Sequence, residues 1–402
     1  MFSGLSKLAD KSFILGFFLP ALVGVLAFVA LNRDVGPFAK LFQGSMQDRT
    51  FANLTVMLLV VWTLSVLLMA GSHWMYRVLE GYAWPLNRPG FRAQQLKRRK
   101  QQREDVRSAY AAVAQAESLM DASGSVATLA DRQRVLAERK QDFRLRTRAL
   151  ALEYPAKREL VLPTRFGNAL RAFEMYAGDV YGVESIHAWP RLLAVVPKDY
   201  QATLADARAP VDFFVSLVFV AFTLGVAGLI RGGAAILHEP VGAAPAWLFF
   251  CLAAAAFVAV RLAYLAAIPS AIAWGEVVKS AFDLYLPALA RAMGYELPKT
   301  AAERRLFWEA QANQFQFLEP VRPEVWAAAN SSPGAEGASE RGVAGEHDAG
   351  ATSDEAGEPD DEADESDDDA AGDGDDRVAT GETRTGASGE GTVRTDEASA
   401  RG

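Results

Sequence analysis

Between Leu162 and Leu193, polar side chains recur every third residue: Arg165, Asn168, Arg171 and Glu174. Two guanidinium groups, an amide and a carboxylate set along one helix can meet an anion, because guanidinium forks match paired carboxylate or phosphate oxygens. With Tyr181 and Arg191 further along, these residues are candidates to line a polar cleft for an anionic ligand. The competing reading is an intradomain salt-bridge network that fixes two short helices. The sequence favours the network, since structural ion pairs commonly perturb charges without function.

Other chemistry finds no pattern. There is no Walker-type loop, no glycine-rich dinucleotide fingerprint after a strand and no HExxH. The histidines, His73, His187, His238 and His347, are scattered, and no local motif joins a nucleophile to a base. Cys251 is the single cysteine, so neither a disulfide framework nor a Cys-rich metal site can form within the chain. No catalytic residue, metal or cofactor is expected.

Two further sets of charges draw notice. Lys97, Arg98, Arg99, Lys100 and Arg103 form a basic block. It follows an apolar run closely and lacks the interleaved aromatics that stack on bases. It is therefore read as a membrane-surface patch facing anionic headgroups, worth up to about 1 kcal/mol per basic residue, and nucleic acid is not the expected partner. Arg261 is the one charge inside an otherwise apolar run. Such a charge either snorkels to the interface or faces a water-lined interior, and no acidic residue lies within the other three runs.

These groups must be positioned by a membrane architecture. Residues 13–31, 54–70, 213–230 and 246–268 are four apolar runs. About 20 apolar residues cross a hydrocarbon core of roughly 30 Å, and buried core helices of this kind are improbable four times in one chain. The first run is read as a retained helix rather than a signal peptide, because no clean cleavage site closes it. Basic residues crowd the segment after the second run, while the loop between the third and fourth holds only Arg231. The positive-inside bias therefore predicts a bacterial inner-membrane protein with both termini and residues 72–211 in the cytoplasm. His73, Trp74, Tyr76, Tyr82 and Trp84 cluster where the second run ends, as an interfacial aromatic belt would.

The expected fold is all-α: residues 1–71 with two spans, a cytoplasmic helical domain over 72–211, two further spans within 212–268, and cytoplasmic helices over 269–330. Within the domain, residues 91–152 read as a helical hairpin. Leu129, Leu136, Phe143 and Leu150 stand at seven-residue intervals, too thin a seam for a free coiled coil, so the hairpin packs on the domain or on a copy of itself. Thr164 is placed to cap a helix that breaks at Gly178, and a second short helix runs from Glu184 to Leu193. Past Pro269 the pattern resumes as an amphipathic helix from Trp274 to Met293. Thr300 and Glu303 form a capping-box signature for a last helix reaching Ala312.

The pattern PTR-x-GN-x-LRA-x-E (Pro163–Glu174), followed by Tyr181-Gly182 and by WPRL (Trp189–Leu192), resembles a family of uncharacterised bacterial multi-span membrane proteins. LEGYAWPL (Leu79–Leu86) and AFDLYLPALARAMGYELPKT (Ala281–Thr300) fit the same family. The resemblance covers most of residues 51–320 and implies the architecture, with no activity attached.

Residues 331–402 stand apart. They hold 22 acidic and 5 basic side chains and no aromatic, leaving 27 acidic and 36 basic residues in the rest of the chain. Such a composition cannot offset ordering entropy, so disorder is expected. The functional expectation is a non-catalytic scaffold, sensor or regulator. A cytoplasmic protein partner and a homo-oligomer are the associations that fit it. A self-associating channel with Arg261 in the pathway is the alternative, and a membrane enzyme or receptor for an anionic ligand is the weaker one.

Overall fold

The computed structural model describes residues 11–32, 50–120, 126–237 and 245–317. The chain divides into two units, Met1–Ala335 and Glu336–Gly402, and every described element belongs to the first. Helix occupies 88% of the described residues and strand none, so the fold is all-α. The helices are α1 (Lys11–Leu31), α2 (Thr50–Glu80), α3 (Pro89–Ser118), α4 (Val126–Glu153), α5 (Arg165–Tyr181), α6 (Ser185–Val195), α7 (Lys198–Leu237), α8 (Ala246–Ala292) and α9 (Ala301–Phe317). The amino-terminal ten residues, the loops around Arg33–Arg49 and His238, the hairpin turn and the acidic tail lie outside the described residues.

Four helices are long and apolar enough to cross a membrane: α1, the Leu54–Glu80 part of α2, α7 and α8. The apolar runs are only parts of the longer ones: residues 213–230 are the middle of α7 and residues 246–268 the first half of α8. With 40 and 47 residues, α7 and α8 extend about 60 and 70 Å at 1.5 Å per residue. That is well beyond the roughly 30 Å of a hydrocarbon core. Here the expected restart at Trp274 is corrected: α8 passes straight through Pro269 and Pro287. Proline removes one helical hydrogen bond. However, Ala267, Ile268 and Ala271 around the first, and Leu286, Leu289 and Ala290 around the second, are buried, so tertiary packing outweighs local propensity.

One core joins these long helices to the short ones. On α5, Phe166, Ala169, Leu170 and Phe173 are all buried, as their i, i+3, i+4, i+7 spacing requires. Each buried phenylalanine or leucine contributes about 2 kcal/mol of apolar burial. Phe173 meets Trp274 of α8 edge-on at 5.2 Å, and Trp189 of α6 packs on Phe282 at 5.7 Å. Phe307 and Trp308 dock α9 onto the same core, while Phe317 stays exposed. Along α7, Gly225, Gly228 and Gly232 face Phe257, Ala253 and Phe250 of α8, so the two backbones approach closely, as small residues allow between apolar helices.

Helices α3 and α4 form the expected hairpin, with Leu129, Leu136, Phe143 and Leu150 half-buried along the seam. Phe143 meets Tyr110 at 5.6 Å. Val135 and Leu145 on α4 remain exposed. The base is pinned more firmly than the arms. Tyr154 donates to Gln95 Oε1 at 3.1 Å, Gln102 donates to Glu153 Oε2 at 3.2 Å, and Arg92 donates to the Val161 carbonyl at 3.0 Å. The capping box at α9 forms as read: Glu303 N donates to Thr300 Oγ1 at 3.2 Å and Thr300 N to Glu303 Oε2 at 3.4 Å.

Candidate functional site

The three stretches that stood out in the sequence meet at one joint. Thr164 caps α5 by accepting from Gly167 N at 2.9 Å, and its own hydroxyl donates to the Leu79 carbonyl at 2.6 Å. One side chain thus satisfies a free donor of α5 and a free acceptor at the end of α2. Gly167 lies directly on the last turn of α2: a Cβ there would overlap the Glu80 carbonyl oxygen and stand 2.9 Å from Glu80 Cα. Asn168 is fully buried. It accepts from Leu162 N at 2.7 Å and donates to the Leu162 and Thr164 carbonyls at 2.9 and 2.8 Å, locking the turn that leads into α5.

The remaining candidates are spread around this joint, each with its own partner. Arg165 pairs with Glu153 at 3.3 Å at the base of the hairpin. Arg171 donates to the Tyr82 hydroxyl and lies 3.6 Å from Glu174. Burial pushes the Glu174 carboxyl above the usual carboxylate range, with the Arg171 charge opposing it. Tyr181 and Tyr176 both donate to Asp283 of α8, at 2.8 and 2.9 Å. Burial first, and then these hydrogen bonds, raise both phenols above their ordinary value. Arg191 donates to the His187 carbonyl at 2.6 Å and stacks 4.1 Å over Phe315 of α9.

So Arg171 and Glu174 are brought together, while Arg165, Asn168, Tyr181 and Arg191 are not. Each of the six has a hydrogen-bonding or ion-pair partner in the fold. A surface groove of about 540 Å³ is lined by residues 295–300 with Glu303 and Phe307, and another of about 550 Å³ by α4 residues. None of the six candidates lines either groove. Among the described residues no group of three or more His, Cys, Asp or Glu is gathered to hold a metal.

Several local expectations are corrected. Helix α5 does not break at Gly178 but runs to Tyr181 and ends at Gly182, whose φ of 75° closes the turn. Val183 N bonds the Ala177 carbonyl at 3.1 Å and Gly182 N the Gly178 carbonyl at 3.0 Å, the pattern a left-handed glycine cap makes. The basic block is not one surface. Arg99 is only 7% exposed and donates to the Ala156 carbonyl, Arg103 is half-buried, and Lys97, Arg98 and Lys100 are exposed.

The aromatic belt loses Tyr76, which turns inward and donates to Asp212 Oδ1 at 2.8 Å. Trp74 and Trp84 stay exposed. Asp212 is the residue the sequence reading missed. It is 7% exposed, it pairs with Arg208 at 3.3 Å, and the guanidinium also lies 5.5 Å from the Trp274 ring. The signal was present: opposite charges four residues apart on a helix, the second abutting the apolar run from Phe213.

Arg261 faces outward on α8, over the Tyr264 ring at 5.9 Å. Within one copy it does not point into the bundle. Near the hairpin base, burial raises the Tyr154 phenol and Glu153 adds to the rise, while Arg165 and Arg98 pull it down. His187 accompanies its own helix cap, Glu184, at 2.7 Å, and Cys251 is exposed and unbonded. In comparison with known proteins, the chain matches no family model, no curated protein and no solved structure.

Proposed function

We propose that the chain is a non-catalytic membrane component, a scaffold, sensor or regulator, that acts through a helical domain on the cytoplasmic side of a bacterial inner membrane. The observation that carries this reading is the joint at Thr164 and Gly167. It ties the end of an apolar helix to a short packed helix by backbone-level contacts, while the polar residues around it each hold a partner within the domain or on α8. Such a joint transmits position between the spans and the domain; it offers no open site for chemistry. The exposed apolar side chains Val135 and Leu145 on α4, set among basic residues, suit contact with a protein partner.

A photo-crosslinking residue placed at Val135 or Leu145 in living cells tests this. Discrete adducts with one other protein at both positions are expected. Adducts with lipid alone, together with single-channel conductance by the purified chain in planar bilayers, would move the assignment to a pore. Because Arg261 lies on the outside of one copy, a pathway lined by it would have to run between copies.

Orientation is tested separately. In a Cys251→Ala background, an impermeant thiol reagent added outside should label Ser45→Cys and Gly242→Cys and leave Ser123→Cys untouched, because basic residues concentrate in the middle segment. Labelling of Ser123→Cys would invert the topology.

A further inference from the structure

Arg261 stands on the outer face of α8 between Val258 and Leu262, which are 58% and 61% exposed. Its guanidinium extends toward Tyr264, one turn nearer the short helices. The Tyr264 hydroxyl accepts from Phe166 N at 3.4 Å, so the ring leads to the first turn of α5. There Arg165 meets Glu153 at 3.3 Å, and the other oxygen of Glu153 takes Gln102 of α3 at 3.2 Å. Tyr154, beside Glu153, feels the charges of Arg165 and of the exposed Arg98 as well as the Tyr264 phenol. Arg261, beside the Tyr264 ring, and Arg165, next in sequence to the Phe166 amide that Tyr264 accepts from, therefore stand along one rim where α8, α5 and the hairpin base meet. The exposed Arg98 of α3 lies within electrostatic reach of Tyr154 at that base. Glu153 offsets one of the three charges.

A guanidinium set in an apolar helix surface is unfavourable unless water or an anion meets it. We propose that this rim seats the headgroup phosphate of an anionic phospholipid, a reading that rests on the chain being membrane-spanning. The phosphodiester stays ionised and accepts paired guanidinium N–H donors. The acyl chains of the same molecule cover Val258 and Leu262, which a free phosphate ion cannot do. Basic pockets beside spanning helices on the cytoplasmic side bind anionic headgroups by this same chemistry.

The test uses the full chain in nanodiscs of equimolar phosphatidylglycerol and phosphatidylcholine, released into detergent for native mass spectrometry of the lipid that stays bound. Insertion of each variant into the discs is scored first, so that failure of the membrane reading is a separate result from failure of the site. Wild type should retain phosphatidylglycerol several-fold over its share of the disc, and Arg261→Leu should fall to the disc ratio. Arg261→Lys should keep part of the preference. Arg139→Leu removes a charge on α4 that is about 20 Å from Glu153 along the helix, and it should match wild type. If Arg261→Leu fails to insert, Arg98→Gln carries the same expectation without altering a buried contact.

Unchanged enrichment in Arg261→Leu overturns the proposal. So does stabilisation of the detergent-solubilised protein by inorganic phosphate equal to that by phosphatidylglycerol. Conversion of a dimer to a monomer by Arg261→Leu, with the lipid ratio unchanged, assigns the charge to a second copy and also overturns it.

Discussion

Gly167→Ala will loosen the joint between α2 and α5 and lower the melting temperature of the detergent-solubilised protein by several degrees. The added methyl group would overlap the Glu80 carbonyl oxygen and press on Glu80 Cα and C at 2.9 and 3.0 Å. These are backbone atoms at the end of a long helix, so nothing flexible can move aside. Overpacking a tight contact costs about 1–3 kcal/mol, and a backbone obstacle places this change in the upper part of that range. The same shift would strain the Thr164 bond to the Leu79 carbonyl. Gly178→Ala, in the same helix, is the contrast: its Cβ would stand 3.5 Å from the Val183 carbonyl, an ordinary contact. Relieving glycine of its backbone entropy there should stabilise by about 0.5–1 kcal/mol. Equal melting temperatures for the two variants would show that the joint is not close-packed.

Asp212→Ala should be the most damaging single change to the apolar bundle. It removes the acceptor of the Tyr76 hydroxyl and the partner of Arg208. The close approach of Gly16 of α1 to Asp212 Cβ, where an added Cβ would lie 2.9 Å away, is kept by alanine, so the loss comes from the carboxylate alone. Breaking a buried pair by deleting one member costs about 3–5 kcal/mol, because the other charge is left uncompensated. Arg208 is 48% exposed, so the lower end is expected here. Asp212→Asn keeps an acceptor for Tyr76 and should lose less. Arg208→Leu in the Asp212→Ala background should recover part of the loss, since the orphaned charge goes with it. Thermal unfolding in detergent, read by tryptophan fluorescence, checks all three. An Asp212→Ala protein as stable as wild type would mean that the cluster carries no stability.

The lengths and hydrophobic content of the four apolar segments, the all-helical class, the hairpin and the caps at Thr164 and Thr300 were determined by the sequence alone. Each depends on residues within a few positions of one another: an apolar run, a heptad spacing, a hydroxyl three residues before a free N–H. The apolar spacing of Phe166, Leu170 and Phe173 likewise predicted the buried face of α5. What only the tertiary structure decided depends on distant partners. No local pattern could say that Thr164 would reach Leu79, 85 residues away, or that Tyr76 would leave the aromatic belt for Asp212, 136 residues away. The proline at 269 reads as an interruption because propensity is local, whereas the packing that carries α8 through it comes from other helices. The same is true of the six polar candidates between Arg165 and Arg191. Their periodicity placed them along two helices, but the partners they meet, Tyr82, Glu153, Asp283 and Phe315, come from other parts of the chain. A side chain's chemical type is set by the sequence; its partner and surroundings are set by the fold.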